Sequence, residues 1–146
     1  MTQRREGGFL IAKIHQLSGR IFARILKEHG IDQINPAQGR ILFVLWKKDE
    51  LSISELAEKT QLSKSTLTSM LDRLEEAGHI KRIRHKRDRR TILIKLTEKD
   101  KNLQKPYNMV SDEMTKIFYR AFSHEEIDKF EGYLKRILTN LTQHHA

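Results

Sequence analysis

Between Ser52 and Leu96 the hydrophobic period of the chain changes from helical to alternating, and this constrains the fold more than any other feature. Ser52-Ile53-Ser54-Glu55 has the pattern of a capping box, in which a hydroxyl and a carboxylate each satisfy a backbone donor at a helix start. The short helix it opens runs to about Lys59 and turns Ile53, Leu56 and Ala57 inward. Thr60-Gln61-Leu62 makes a tight turn, Ser63 caps a second helix, and Leu67, Met70, Leu71 and Leu74 keep a helical period until Gly78 ends it. Ile80 to His85 and Thr91 to Leu96 are rich in β-branched residues and flank five polar ones, which predicts a hairpin with its loop at Lys86 to Arg90. Two short helices joined by a three-residue turn and followed by a hairpin make a winged helix-turn-helix.

Helices flank this unit. Phe9, Ile14, Leu17, Ile21, Ile25 and Leu26 lie at helical spacing before Gly30, and Leu10, Ile11 and Phe22 widen the stripe. So broad a stripe has surface to share with another subunit. Asn35-Pro36 opens a helix through Ile41, Leu42, Val44, Leu45 and Trp46 that ends near Asp49. Thr97-Glu98-Lys99-Asp100 reads as a cap and acidic first turn for a long helix carrying Tyr107, Val110, Met114, Ile117, Phe118 and Phe122, which Pro106 is expected to bend or break. Ser123 to Glu126 is a second capping box, and Ile127, Phe130, Leu134, Ile137, Leu138 and Leu141 follow on one helical face. The expected fold class is mainly α with a small β-hairpin wing: one domain over 1–146, with a winged helix-turn-helix lobe at 36–97 and a helical lobe made of 1–35 with 98–146.

The formal charge of +9 is unevenly placed. Residues 1–63 have 10 basic and 7 acidic side chains, residues 64–97 have 10 and 4, and residues 98–146 have 8 and 8, so two thirds of the excess sits in the middle. Within 79–90 there are seven Lys or Arg against one Asp, a field that draws a polyanion, although a basic loop also serves solubility alone. There is no Cys, hence no disulfide framework, thiolate metal site or cysteine-based peroxide sensing, which suits a reducing cytosol. The apolar segment after Phe9 is interrupted by Lys13, His15 and Arg20, so it reads as neither a signal peptide nor a membrane span, and a cytoplasmic location is expected.

With its apolar residues turned inward, the second helix of the motif offers Lys64, Ser65, Thr66, Thr68, Ser69, Asp72 and Arg73 outward. Hydroxyls bind phosphate or touch base edges, and a Thr methyl packs on thymine, but they discriminate less sharply than Arg on guanine. The helix start near Lys64 to Thr66 adds backbone donors for a phosphate; Ser63 and Thr66 have capping alone as their alternative role. The wing brings Lys86, Arg87, Arg89 and Arg90 together with Asp88. A loop that is only an electrostatic attractor gains nothing from an Asp. Asp88 therefore either caps the turn or holds a guanidinium, Arg90 being the one inferred, for insertion into a minor groove.

Asp88-Arg89-Arg90 followed by Thr91 to Lys99 resembles the wing signature of the MarR (multiple antibiotic resistance regulator) family, and Leu67 to Gly78 is similar to that family's recognition helix. The order of helices matches from end to end. The resemblance implies a transcriptional repressor that dimerises through helices from both termini, the 1–35 and 98–146 lobe, binds a pseudopalindromic operator, and is often released by a small aromatic or phenolic ligand. Ser69 stands where relatives often carry Arg, and Asp100 stands where Gly is usual, which reads as an acid complementing a helix dipole. Asp72 matches a family acid that pairs with wing arginines, so Asp72 is a second possible partner for Arg90.

Other classes have weaker support. No phosphate-cradling glycine loop and no Ser-His-Asp or metal-hydrolase spacing supports an enzyme, and no cofactor is implied. His15, His29, His79, His85 and His124 read as surface or capping residues, and His144-His145 as an adventitious metal binder at most. The segment 79–90 has no aromatic residue for base stacking, which favours duplex DNA over RNA. A ligand-independent architectural DNA-binding protein is the competing reading, separable by its lack of sequence preference.

Overall fold

The computed structural model describes residues 3–145; Met1, Thr2 and Ala146, the ends of the expected 1–146 domain, lie outside the described residues. The order is α1 (Gly7–Glu28), α2 (Pro36–Lys47), β1 (Leu51–Ser52), α3 (Ile53–Thr60), α4 (Lys64–Glu76), β2 (Ile80–Arg84), β3 (Ile92–Leu96), α5 (Lys101–Phe118) and α6 (His124–His145). The chain divides into two compact units, residues 1–111 and 112–146.

Local chemistry sets most boundaries in the first unit. The Asn35 carboxamide accepts from Gln38 N–H at 2.8 Å while the Gln38 carboxamide accepts from Asn35 N–H at 2.8 Å, with Pro36 at the first helical position of α2. Ser52 and Glu55 form the same reciprocal box at 3.1 Å each, as the sequence pattern predicts. Gln61 ends α3 in the left-handed region at φ 57°, and Gly78 takes φ 87° after α4. Ile41, Leu42, Leu45, Leu51, Leu56, Leu67, Leu71, Leu74, Ile80 and Ile94 are buried together as the core of the winged unit. The leucine stripe of α4 is thus spent on packing, which leaves its polar face outward.

The hairpin is part of a three-stranded antiparallel sheet, ordered β1-β3-β2. Ile80 pairs with Leu96, Arg82 with Ile94 and Arg84 with Ile92, and Leu51 pairs with Ile94 across the other edge of β3. Two residues of β1 are too few for a pattern, and sequence reading gives only the hairpin.

Two expectations need correction. Asp100 does not lie in the first helical turn: it precedes Lys101, is almost fully buried, and accepts from the Trp46 indole N–H at 2.6 Å. His79, expected at the surface, is also buried, with Nδ1 3.3 Å from an Asp100 carboxylate oxygen. Burial pushes the Asp100 carboxyl above its ordinary range, although the Trp46 hydrogen bond and the nearby His79 favour its ionised form. In addition, Pro106 leaves α5 unbroken. Close by, Tyr107 packs edge-on against Phe22 and Trp46, at ring-centroid distances of 5.6 and 5.1 Å. A Cβ on Gly39 would collide with the Tyr107 hydroxyl and ring, so α2 needs glycine there.

In the second unit, Ser123 and Glu126 form the expected capping box, at 2.8 and 3.1 Å. Phe118, Tyr119, Phe122 and Phe130 cluster, and the Tyr119 hydroxyl donates to Glu131 at 2.7 Å. Among the described residues, no helix is long and apolar enough to cross a membrane.

Candidate nucleic-acid interface

The open face of α4 carries Lys64, Ser65, Thr66, Thr68, Ser69 and Arg73, all exposed. Ser63 caps the helix: its hydroxyl oxygen accepts from Thr66 N–H at 3.3 Å and its hydroxyl donates to the Thr66 hydroxyl oxygen at 2.9 Å. Part of the hydroxyl face is therefore engaged in ordering the helix start. Thr68, Ser69 and Arg73 lie further along, and Arg73 also lines a cleft with residues of α1 and the α1–α2 connection.

The wing loop places Lys86, Arg87, Asp88, Arg89 and Arg90 in solvent. Asp88 contacts both the turn and the Arg90 side chain. One carboxylate oxygen accepts from Arg90 N–H at 3.1 Å and lies 3.4 Å from the Arg90 guanidinium Nε, and the other accepts from the Thr91 hydroxyl at 3.2 Å. The Arg90 amide above all, with the Thr91 hydroxyl and the Arg90 guanidinium, holds the Asp88 carboxyl below the usual carboxylate range. The Arg90 side chain remains 94% exposed, so the carboxylate orients it without burying it. Arg84 braces the loop from β2 by donating to the Arg89 carbonyl at 3.0 Å.

Asp72 pairs elsewhere. Its carboxylate accepts from the Arg82 guanidinium at 2.8 Å, and the other guanidinium nitrogen donates to Glu75. Arg82 N–H also donates to Glu75, at 3.3 Å. Arg82 thus rivets β2 to the side of α4 through two acids one helical turn apart. Sequence reading counts Arg82 only within the basic field; the Asp72 and Glu75 spacing on α4 is the signal that could have marked it. The end of α4 is tied to the strand exit as well, with the Thr97 hydroxyl donating to the Gly78 carbonyl and Lys99 Nζ donating to Ala77 O at 2.7 Å. Helix and wing are therefore held as one body by these bonds.

Among the described residues no three His, Asp or Glu side chains gather as a metal site. The arrangement suits a different chemistry. A dipolar helix start and small hydroxyls stand beside a cationic loop with an oriented guanidinium, a set matched to phosphates and groove edges.

Comparison with known proteins agrees with this geometry. The MarR family pattern matches residues 34–92. The HTH-type transcriptional regulator TtmR of Methylorubrum extorquens is 36% identical over 86 residues, which cover 59% of this chain and 43% of TtmR, so the match spans less than half of that relative. The HTH-type transcriptional regulator SarZ of Staphylococcus haemolyticus is 29% identical over 100 residues, covering 68% of this chain and 67% of SarZ. A mutant MarR from E. coli, solved in complex with operator DNA, superposes with a TM-score of 0.79 at 26% identity, covering 90% of this chain and 92% of that one. The stretch that holds the winged helix-turn-helix, residues 34–92, matches the MarR family, and the fold is that of the similar E. coli MarR.

Proposed function

We propose that this chain is a sequence-specific DNA-binding transcriptional regulator that acts in the cytoplasm as a homodimeric repressor on a pseudopalindromic operator. The observation that carries the reading is the fixed helix-wing body, with its α4 hydroxyl face and a guanidinium oriented by Asp88 both left open to solvent. The operator-bound state of the similar E. coli protein supports duplex DNA as the partner. Lys64, Ser65 and Thr66 anchor phosphates; Thr68, Ser69 and Arg73 face base edges; Lys86, Arg87 and Arg89 supply the field; Arg90 enters the minor groove. With hydroxyls on the helix and cations on the wing, the wing supplies most of the affinity and the helix limited discrimination.

Dimerisation is supported by apolar surface left open on the terminal helices: Phe9, Leu10, Ile11, Ile14 and Leu17 on α1, and Tyr133, Ile137, Leu138 and Leu141 on α6. Patches of this kind on both ends of one chain mark an association surface. A small aromatic or phenolic anion is the proposed occupant of a cleft of about 480 Å³ lined by Ala23, Lys27, Ile31, Asp32, Ile34 and Arg73 among others, where two cations stand against one acid. Because Arg73 belongs to α4, occupancy there bears on the reading helix, and release follows from different ligand affinities of the DNA-competent and incompetent forms.

Selection of bound duplexes from a random library tests the reading. The expected product is an inverted repeat with half-sites about one helical turn apart, ~34–36 Å, preferred over other DNA by roughly 10³ or more. Binding of all duplexes within a few-fold would instead indicate an architectural protein, and a monomer on its preferred DNA would remove the dimer.

A further inference from the structure

The wing loop contains a side-chain acceptor that contact with DNA does not require. His85 leaves β2 with its own N–H donating to the Thr91 carbonyl at 2.9 Å, which closes the end of the hairpin. Its ring Nδ1 lies 3.1 Å from the Arg87 amide nitrogen and 3.2 Å from the Asp88 amide nitrogen. Both amides can only donate, so Nδ1 must present its lone pair, and the neutral ring carries its proton on Nε2. Asp88 then collects the next donors, the Arg90 amide and the Thr91 hydroxyl, while Thr91 N–H returns to the Asp88 carbonyl at 3.0 Å. The turn is thus built in sequence: His85 fixes where the Asp88 backbone lies, and Asp88 fixes Arg90.

We propose that His85 is the positioning residue of the wing: its unprotonated Nδ1 folds the loop into the turn that presents Arg90, and protonation of that nitrogen releases the turn. A protonated Nδ1 cannot accept, so both amide bonds are lost together. The charged side chains of the hairpin end are Arg84 on β2 and Lys86, Arg87, Asp88, Arg89 and Arg90 on the loop. Asp88 itself is held below the usual carboxylate range, so its contacts to Arg90 and Thr91 persist in mild acid. The added positive charge strengthens attraction to any phosphate, while the loosened loop loses its oriented guanidinium. Acid therefore lowers discrimination while non-specific binding is kept or strengthened.

The consequence for DNA rests on the function proposed above, whereas the turn itself is testable without DNA. In His85→Asn the carboxamide oxygen takes the place of Nδ1 and does not titrate; in His85→Gln it is displaced by one bond. Two readouts are taken between about pH 8 and about pH 5.5, the span in which histidine switches operate: protection factors of the Arg87 and Asp88 amides in the free protein, and the affinity ratio of operator to unrelated duplex. Wild type is expected to lose amide protection and roughly tenfold in the ratio on acidification, the scale of one or two hydrogen bonds. The Asn variant should keep both at every pH, and the Gln variant should lack both throughout. An Asn variant that follows the wild-type pH profile, or a Gln variant with intact amide protection, overturns the proposal. Absence of any operator preference in wild type at pH 8 overturns the functional reading instead, while the amide protection still decides the role of His85.

Discussion

Arg90 is held by a carboxylate two residues away yet remains in solvent, an arrangement that costs little in the free protein and removes rotamer entropy before DNA arrives. Truncation at Arg90 should therefore act on binding and not on folding. Arg90→Ala is expected to weaken operator binding about 10- to 100-fold, the worth of a good groove contact, with an unchanged melting curve; equal affinity in a fluorescence-anisotropy titration would take the wing out of the reading mechanism. Thr68→Ala should instead shift which operators are preferred, and a uniform loss across sequences would contradict a base-edge role. Asp100 gives a prediction of another kind. Because burial raises its carboxyl pKa in the folded chain, the folded state holds the proton more readily than the unfolded state. Stability associated with the protonated form is full in acid, below the unfolded pKa, and is lost as pH rises through the raised folded value. Asp100→Asn keeps an acceptor for the Trp46 indole and carries no charge, so its Tm should gain on wild type as pH rises from about 4 toward neutrality. Parallel Tm curves for the two proteins would show that the buried charge is compensated.

At the scale of elements, the bond between β2 and α4 decides whether the reading helix and the wing move as one. Arg82 makes that bond with Asp72 and Glu75, and its side chain is 25% exposed, partly shielded from solvent. Arg82→Ala is expected to cost about 1 kcal/mol in denaturant unfolding and to weaken operator binding more than this stability loss explains; a variant with wild-type affinity would mean that helix and wing bind independently. The reason this clamp escapes sequence reading also explains what sequence reading does recover. The capping boxes at Ser52 and Ser123, the period of α4 and the turn chemistry at Asp88 are interactions over two to four positions, which a local pattern contains. Arg82 finds Asp72 10 positions away and Trp46 finds Asp100 54 positions away, so no local pattern names either pair, although the Asp72 and Glu75 spacing hints at a cation against α4. The two-residue β1 and the burial of His79 belong to the same class: both depend on what lies across the sheet or the core, and a lone His in a basic stretch looks like surface until its neighbours are known.

The terminal helices leave several large apolar side chains open, and the proposed homodimer accounts for them. A charge on one such face, Leu141→Glu, should shift the chain toward monomer by light scattering and weaken operator binding, because two half-sites are then no longer engaged together. An unaltered dimer would place the contact on other residues. The indole of Trp46 has a separate use. It is the only tryptophan in the chain, and its N–H is bonded to the Asp100 carboxylate, just before α5, rather than to anything in the wing. Its emission is consequently a built-in optical reporter of the α2–α5 junction and is silent to loop motion at residues 85–91. A spectral shift on adding operator DNA would mean that contact made at the periphery has reached the interior, and a flat signal would mean that binding stops at the surface.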